Sequence, residues 1–420
     1  MDLPKECYQL LDWIDAQQST MELLVEKWAN VNSGSNNLPG LSRMHFKLLH
    51  AFNALGGKRK SLTLPPSLAV EQNGKLTLRE NGTAFLIRNR QKAPLRILLG
   101  GHMDTVFDKG SPFQKCRHLP DERLEGPGVS DMKGGLVVML YALLALEKSS
   151  YASNIGWDVL ITPDEETGSS ASAQLWKQYA WQNHVGVLFE PAYPDGAIVS
   201  ERKGSMTYYA IAHGKKAHAG RDFHLGKNAV AGLAEFIRSA HALNSPSVIV
   251  NVGQVHGGEA ANIIPDEAFC SVNVRADRRS DLVTVEQQLR EAATEVYGEY
   301  GVAIELHLKS RRPPKVFDSA SEALFAKLQG CAEALDIPFK TISTGGVCDG
   351  NLISAEGVPT IDTLGVIGGD LHTTKEWIWL PSLSQRARLA AAFLLTLAIG
   401  APSKEFLAKK LKASSDGTHE

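Results

Sequence analysis

Cysteine is scarce and scattered: Cys7, Cys116, Cys270, Cys331 and Cys348 form an odd set of five with no CxxC pair. That excludes a disulfide framework and a cysteine-rich zinc knuckle, and it fits free thiols in a reducing compartment. An excess of either charge is also missing, because 44 basic residues face 46 acidic ones for a formal charge of −2. The chain therefore lacks the basic field that nucleic acid or an anionic membrane requires. Long hydrophobic runs are absent too. The longest, Gly135–Leu146 and Leu389–Gly400, stop well short of the roughly 20 residues of a membrane span and read as buried helices. The opening Met-Asp-Leu-Pro-Lys-Glu has no basic stretch leading into an apolar region, so the expectation is a soluble, cytoplasmic protein. Three widespread catalytic signatures are missing as well. The only His-Glu pair is His419-Glu420, which rules out HExxH, and neither a GxSxG elbow nor a P-loop occurs.

What is present has an ordinary globular balance, 43% hydrophobic and 21% charged over 420 residues. That length is too great for one compact core and suggests two domains. Glu6–Asn53 carries helical spacing in Leu10, Ile14, Leu23, Leu24 and Trp28. Leu76–Ile87 and Leu95–Leu99 read as strands, Gly134–Leu146 as a helix, and Trp157–Thr162 and Val185–Phe189 as short apolar strands. Strands alternating with helices over this first part predict a mostly parallel α/β sheet. The texture then changes. Gly204–His213 alternates, Val248–Val255 and Ala268–Arg275 are further strands, and Val230–Leu243 and Thr284–Tyr297 are helices, the pattern of a smaller α+β unit. After the breaker stretch Arg311–Pro314 come a helix (Ala320–Leu335), a strand (Thr360–Leu364) and a last helix (Ser384–Ile399). The resulting expectation is a discontinuous α/β domain, 1–200 and 315–420, with an insertion at 201–314. A polar tail after Lys412 is expected to fray.

Five short segments carry chemistry. In Gly100-Gly101-His102-Met103-Asp104 a histidine follows a strand with an aspartate two residues on, which period-two alternation puts on the same face. A carboxylate that orients a histidine is the usual support of a zinc ligand, although alone the pair is equally a core histidine with a turn-capping aspartate. Asp131 stands among four glycines in Gly126–Gly135 at the start of an apolar helix, where close backbone approach to a ligand and simple N-capping are both open. Glu165 and Glu166 are adjacent carboxylates after the strand Trp157–Ile161. They repel unless a cation or a shared proton compensates, or unless they form a solvated turn. Glu190 ends an apolar strand, and His372 sits in the glycine-rich loop Gly368–Thr374. Together these supply histidines and carboxylates, the ligand set of zinc and its neighbours, near strand ends of one sheet.

In this order, HMDTV, GVSDMKGG, DEETGS, FEP and GGDLHTT resemble the M20 metallopeptidases, a family that includes glutamate carboxypeptidases, acetylornithine deacetylase, succinyl-diaminopimelate desuccinylase and aminoacylases. The resemblance runs from about residue 80 to 400. It implies a metal-dependent hydrolase of amide bonds beside a free carboxylate. Asp131 would bridge two Zn²⁺ ions, with Co²⁺ or Mn²⁺ as possible substitutes. His102 and Glu190 would complete one site, Glu166 and His372 the other. Glu165 would be the general base, Asp104 would orient His102, and the Asp131–Met132 peptide would be cis. The insertion would be a lid and dimerisation domain. There His218 would polarise the scissile carbonyl in a homodimer, while Asn262 and Arg275 would hold the substrate, a small peptide or N-acyl amino acid. The segment Thr344–Asn351 and the stretch Thr363–Thr373 are closest to the glutamate carboxypeptidase branch. N-deacylation is the alternative activity, and a non-catalytic binding protein on the same fold is the remote one.

Overall fold

The computed structural model describes residues 3–71 and 74–401. Its centre is a six-stranded sheet in the order Lys58–Thr63, Thr83–Asn89, Ile155–Thr162, Leu95–His102, Val185–Leu188, Thr360–Ile361. The last four strands run parallel to one another, and the first two pair antiparallel at one edge. Ile155–Thr162 and Leu95–His102 are buried along their whole length, as strands covered on both faces must be. Side-chain alternation assigns the faces. Ile97, Leu99, Val159 and Ile161 join a large core with the helices Gly134–Lys148 and Ser382–Gly400. Leu98 and Leu160 face the opposite way, toward Trp176, Tyr179, Leu352 and Ile353 on the helices Ala173–Ala180 and Gly350–Ser354. The architecture is therefore a three-layer α/β/α sandwich, the predicted α/β class.

Gly134–Lys148 is apolar on every side, which marks a core helix. Among the described residues one segment, Val129–Lys148, is long and apolar enough to cross a membrane, and 89% of its most apolar stretch is buried within the protein. The glycines at its start set how closely it seats. A Cβ on Gly135 would lie 1.8 Å from the Phe189 carbonyl oxygen, so only glycine lets the helix reach the end of the neighbouring strand.

A second core belongs to a four-stranded antiparallel sheet in the order Val248–Gly257, Glu267–Ala276, Gly204–His213, Ala303–Arg312. Met206, Tyr208, Val272 and Val274 pack there with Leu233 and Phe236 of the helix Ala229–His241 and with Leu282 and Leu289 of the helix Arg279–Tyr300. On this separation of cores we propose the division into 1–200 with 315–420 and 201–314.

Several sequence expectations differ in detail. The helical region near the N-terminus is three helices, Lys5–Asp15, Gln18–Ala29 and Leu38–Ala51, the last capped by the Asn37 side chain. Leu76–Ile87 is two strands. Leu76–Arg79 forms a hairpin with Ser67–Val70, and the chain turns at Asn81, whose amide donates to the Pro65 carbonyl at 2.6 Å, before Thr83–Asn89 enters the main sheet. Ala303–Arg312 was not anticipated, because its half-exposed residues give no continuous apolar run. The strand expected at Thr360–Leu364 is only Thr360–Ile361. The tail after Lys412 lies outside the described residues.

Candidate metal centre

Two clusters of histidine and carboxylate share one aspartate: His102, Asp131 and Glu190, and Asp131, Glu166 and His372. The potential ligand atoms of each lie within 4.8 Å of one another. His102 Nε2 is 3.0 Å from Asp131 Oδ1 and 3.7 Å from Glu190 Oε2. His372 Nε2 is 3.3 Å from Asp131 Oδ2 and 3.4 Å from Glu166 Oε2. The two oxygens of Asp131 thus face one triad each.

Local structure explains the placement. His102 is the final residue of its strand, and its Nδ1 lies 3.0 Å from the Asp104 carbonyl and 3.4 Å from Asp104 Oδ1. A proton on Nδ1 leaves the Nε2 lone pair facing the cluster. Asp131 does not cap the helix. Its backbone is non-helical (φ −115°, ψ 93°) within the turn Val129–Lys133, and its peptide bond to Met132 is cis, as the resemblance implied. Gly128, at φ 73°, shapes the approach, since a Cβ there would meet Thr105 Cγ2 at 2.6 Å. Glu165 and Glu166 stand on a single 3₁₀ turn, Glu165–Thr167. Asp104 holds that turn by accepting the Glu165 N–H at 3.2 Å and the Glu166 N–H at 3.1 Å, and it also accepts from Ser35 Oγ at 2.8 Å.

The electrostatics ask for cations. Burial pushes the Glu166 carboxyl up to about 7, helped by the Asp131 charge and opposed by His372. Burial also raises Glu165 and Glu190. Hydrogen bonds that its ring donates to Asp131 and Glu166 lift His372 to about 11. Burial opposes charge on His102, but Asp104, Asp131 and Glu190 outweigh it and raise its pKa well above the ordinary value. Buried like charges this close are tolerable only when a cation or a shared proton compensates them. Glu190 Oε1 is buried with no hydrogen-bond partner, an acceptor turned to no protein donor. The donor set, imidazole nitrogen and carboxylate oxygen, matches zinc and its borderline neighbours. The residues present therefore fit divalent metal ions.

A cavity of about 400 Å³ opens on the cluster, lined among others by Glu165, Arg202, Thr344, Cys348 and His372. Glu165 Oε1 accepts from Arg312 at 2.8 Å, and the same guanidinium reaches Ser169 Oγ at 2.6 Å and Asp349 Oδ1 at 3.3 Å.

Of the residues singled out by sequence, His102, Asp104, Asp131, Glu165, Glu166, Glu190 and His372 are brought together. His218 and Asn262 are not. Both are exposed and share a short ribbon in which Ala217–His218 pairs with Ile263–Ile264, and His218 Nδ1 accepts from the Gly220 and Arg221 N–H groups at 3.1 Å each. Arg275 lies between. Its guanidinium donates to Asn273 Oδ1 at 3.1 Å and to the Gly345 carbonyl, in the loop that borders the cavity. Sequence reasoning missed Arg312, hidden in what read as a breaker stretch, and Glu376, four residues after His372. It also missed the buried group in which Asp362 accepts from Arg202 Nε at 2.8 Å and lies 3.0 Å from Lys315 Nζ.

With this geometry in view, the comparisons are unambiguous at the level of class. The model of peptidase family M20/M25/M40 matches residues 98–396, and the chain belongs to that family of metal-dependent peptidases and amidohydrolases. It is similar to carboxypeptidase G2 of Pseudomonas sp. (strain RS-16), 24% identical over 92% of this chain and 91% of that one. It is also similar to a succinyl-diaminopimelate desuccinylase of Methylobacterium nodulans, 28% identical over 75% of this chain and 83% of that one. In fold it is similar to an M20 family metallo-carboxypeptidase of Sulfolobus solfataricus (TM-score 0.70, 16% identity, covering 95% and 100% of the two chains).

Proposed function

We propose that this enzyme is a two-zinc carboxypeptidase that releases a C-terminal amino acid such as glutamate by hydrolysing the amide bond beside its carboxylate. The observation that carries the reading is the sharing of Asp131 by two ligand triads with Glu165 at the edge of the same cavity. His102 and Glu190 would hold one ion with Asp131, and Glu166 and His372 the other, with Co²⁺ or Mn²⁺ as substitutes. Bound there, the ions would supply Lewis acidity and a nucleophile drawn from water near neutral pH. Glu165 takes the proton of the attacking water and delivers it to the leaving nitrogen. Arg312 fixes its orientation. Arg275 holds the substrate carboxylate, a task that favours a planar paired donor, and Asn262 contributes a further polar contact. His218 lies apart from the triads of its own chain, so in this reading it polarises the scissile carbonyl in the site of a second copy of the chain.

Elemental analysis, coupled to hydrolysis of C-terminal glutamate, alanine and leucine dipeptides and of N-acetyl and N-succinyl amino acids, tests the proposal. About two metal ions per chain with preference for glutamate dipeptides is the expected result. Preference for the acylated amino acids would reassign the enzyme to the deacylases, a reading favoured by its similarity to the desuccinylase. No metal and no turnover after added zinc would overturn the hydrolase reading in favour of a binding protein.

A further inference from the structure

The backbone that presents Asp131 converges on one side chain outside both triads. Glu376 Oε1 accepts the Ser130 N–H at 2.8 Å and the Asp131 N–H at 3.0 Å, and Oε2 accepts the Gly128 N–H at 3.2 Å. The Glu376 carbonyl accepts the Gly126 N–H at 3.0 Å. The side chain is 1% exposed, so the carboxylate has traded water for these backbone donors. Glu376 is also tied to the other end of the centre. It follows His372 by four residues, in a turn where the Thr373 N–H reaches the Asp370 carbonyl and the Glu376 N–H reaches the Thr373 carbonyl, each at 3.2 Å. One short segment therefore carries a residue of the second triad and grips the residue common to both.

We propose that Glu376 is a positioning residue whose carboxylate clamps the Gly128–Asp131 backbone and so holds the two Asp131 oxygens toward His102 and His372 as one rigid unit. It acts through Asp131 and touches no substrate. The inference rests on the two-ion reading above. Rotation of Asp131 about its own backbone would move both oxygens at once, and three hydrogen bonds to a single carboxylate oppose that rotation. Outer hydrogen bonds of this kind are worth roughly 10–100-fold in metal affinity. In Glu376→Gln the one remaining carbonyl oxygen can serve Ser130 and Asp131, but the amide NH₂ then faces the Gly128 N–H, donor against donor. Glu376→Asp keeps both acceptors one methylene further away.

The experiment compares zinc release to a competing chelator, and the visible absorption of the cobalt-substituted protein, for wild type, Glu376→Gln and Glu376→Asp. The Gln variant should lose zinc about 10–100-fold more readily with an altered cobalt spectrum, and Asp should fall between. KM should stay near wild type, while the deficit in kcat shrinks as zinc is raised. A folded Gln variant with wild-type zinc affinity and cobalt spectrum overturns the inference. If the Gln variant does not fold, an Asp variant indistinguishable from wild type in both readouts overturns it equally. A wild-type chain that binds no metal would instead bring down the functional reading itself, which separates the two failures.

Discussion

Asp104 shows how one side chain can order several others. Its carboxylate accepts from the backbone of Glu165 and Glu166 and lies against His102, so the proposed base and one ligand from each triad share a single anchor. The roles of the two glutamates then diverge by surroundings, since Glu166 faces His372 and Asp131 while Glu165 faces Arg312. Glu165→Gln should lower kcat about 10²–10⁴-fold yet leave metal content unchanged, because the amide oxygen still accepts from Arg312. Elemental analysis beside steady-state kinetics checks both halves, and near-normal turnover would remove Glu165 from its role. A residue far from the chemistry gives a pH prediction. His45 is buried, with Nδ1 3.1 Å from the Thr83 carbonyl and Nε2 3.2 Å from Ser61 Oγ. Burial lowers its pKa below the ordinary imidazole value, opposed by the bond to Thr83. The unfolded chain therefore takes up this proton first, so the stability it contributes is complete above about pH 6.5 and is lost as the pH falls toward the folded value. Denaturant melts should show that loss in wild type and a flatter profile in His45→Gln. Equal slopes would remove His45 as the cause.

At the scale of elements, the site depends on how closely the helix Gly134–Lys148 approaches the strand that ends before Glu190. Gly135→Ala pits two effects against each other. Helix propensity would gain roughly 1 kcal/mol. Against that, the new Cβ would stand 1.8 Å from the Phe189 carbonyl oxygen, and overpacking of this kind costs about 1–3 kcal/mol. Backbone cannot rotate away as a side chain can, so the clash should win. The variant should be less stable to denaturant and, with Phe189 displaced, should bind zinc more weakly through Glu190. A rise in stability at unchanged affinity would show that the close approach is not needed.

For the molecule as a whole, the antiparallel sheet reaches the cavity through Arg312, at the end of its edge strand, and through Arg275 against Gly345. His218 and Asn262 extend away on their ribbon. If His218 serves the site of a second copy, Glu165→Gln and His218→Ala, each nearly inactive, should complement when unfolded together and refolded. Half of the dimers would be mixed and each would have one intact site, so about a quarter of wild-type activity should return. No recovery, with dimers present by sedimentation, would keep His218 out of catalysis across subunits.

The helices and buried strands were legible because apolar periodicity is a local property. Leu95–Leu99 and Trp157–Thr162 declare themselves as runs covered on both faces, and Ala320–Leu335 fell within a residue of the observed Ser319–Ala334. The histidines and acids of the centre were legible as well, since each follows a strand end or sits among glycines that a ligand needs nearby. Neither Ala303–Arg312 nor Glu376 could be read this way. The strand is half exposed, and its identity comes from pairing with Gly204–His213 almost a hundred residues earlier. A lone glutamate in a polar turn looks like any solvated charge. Only folding buries it against the backbone of Gly128–Asp131, because hydrogen bonds between distant segments depend on the separation of atoms in space, which residue spacing along a chain does not encode.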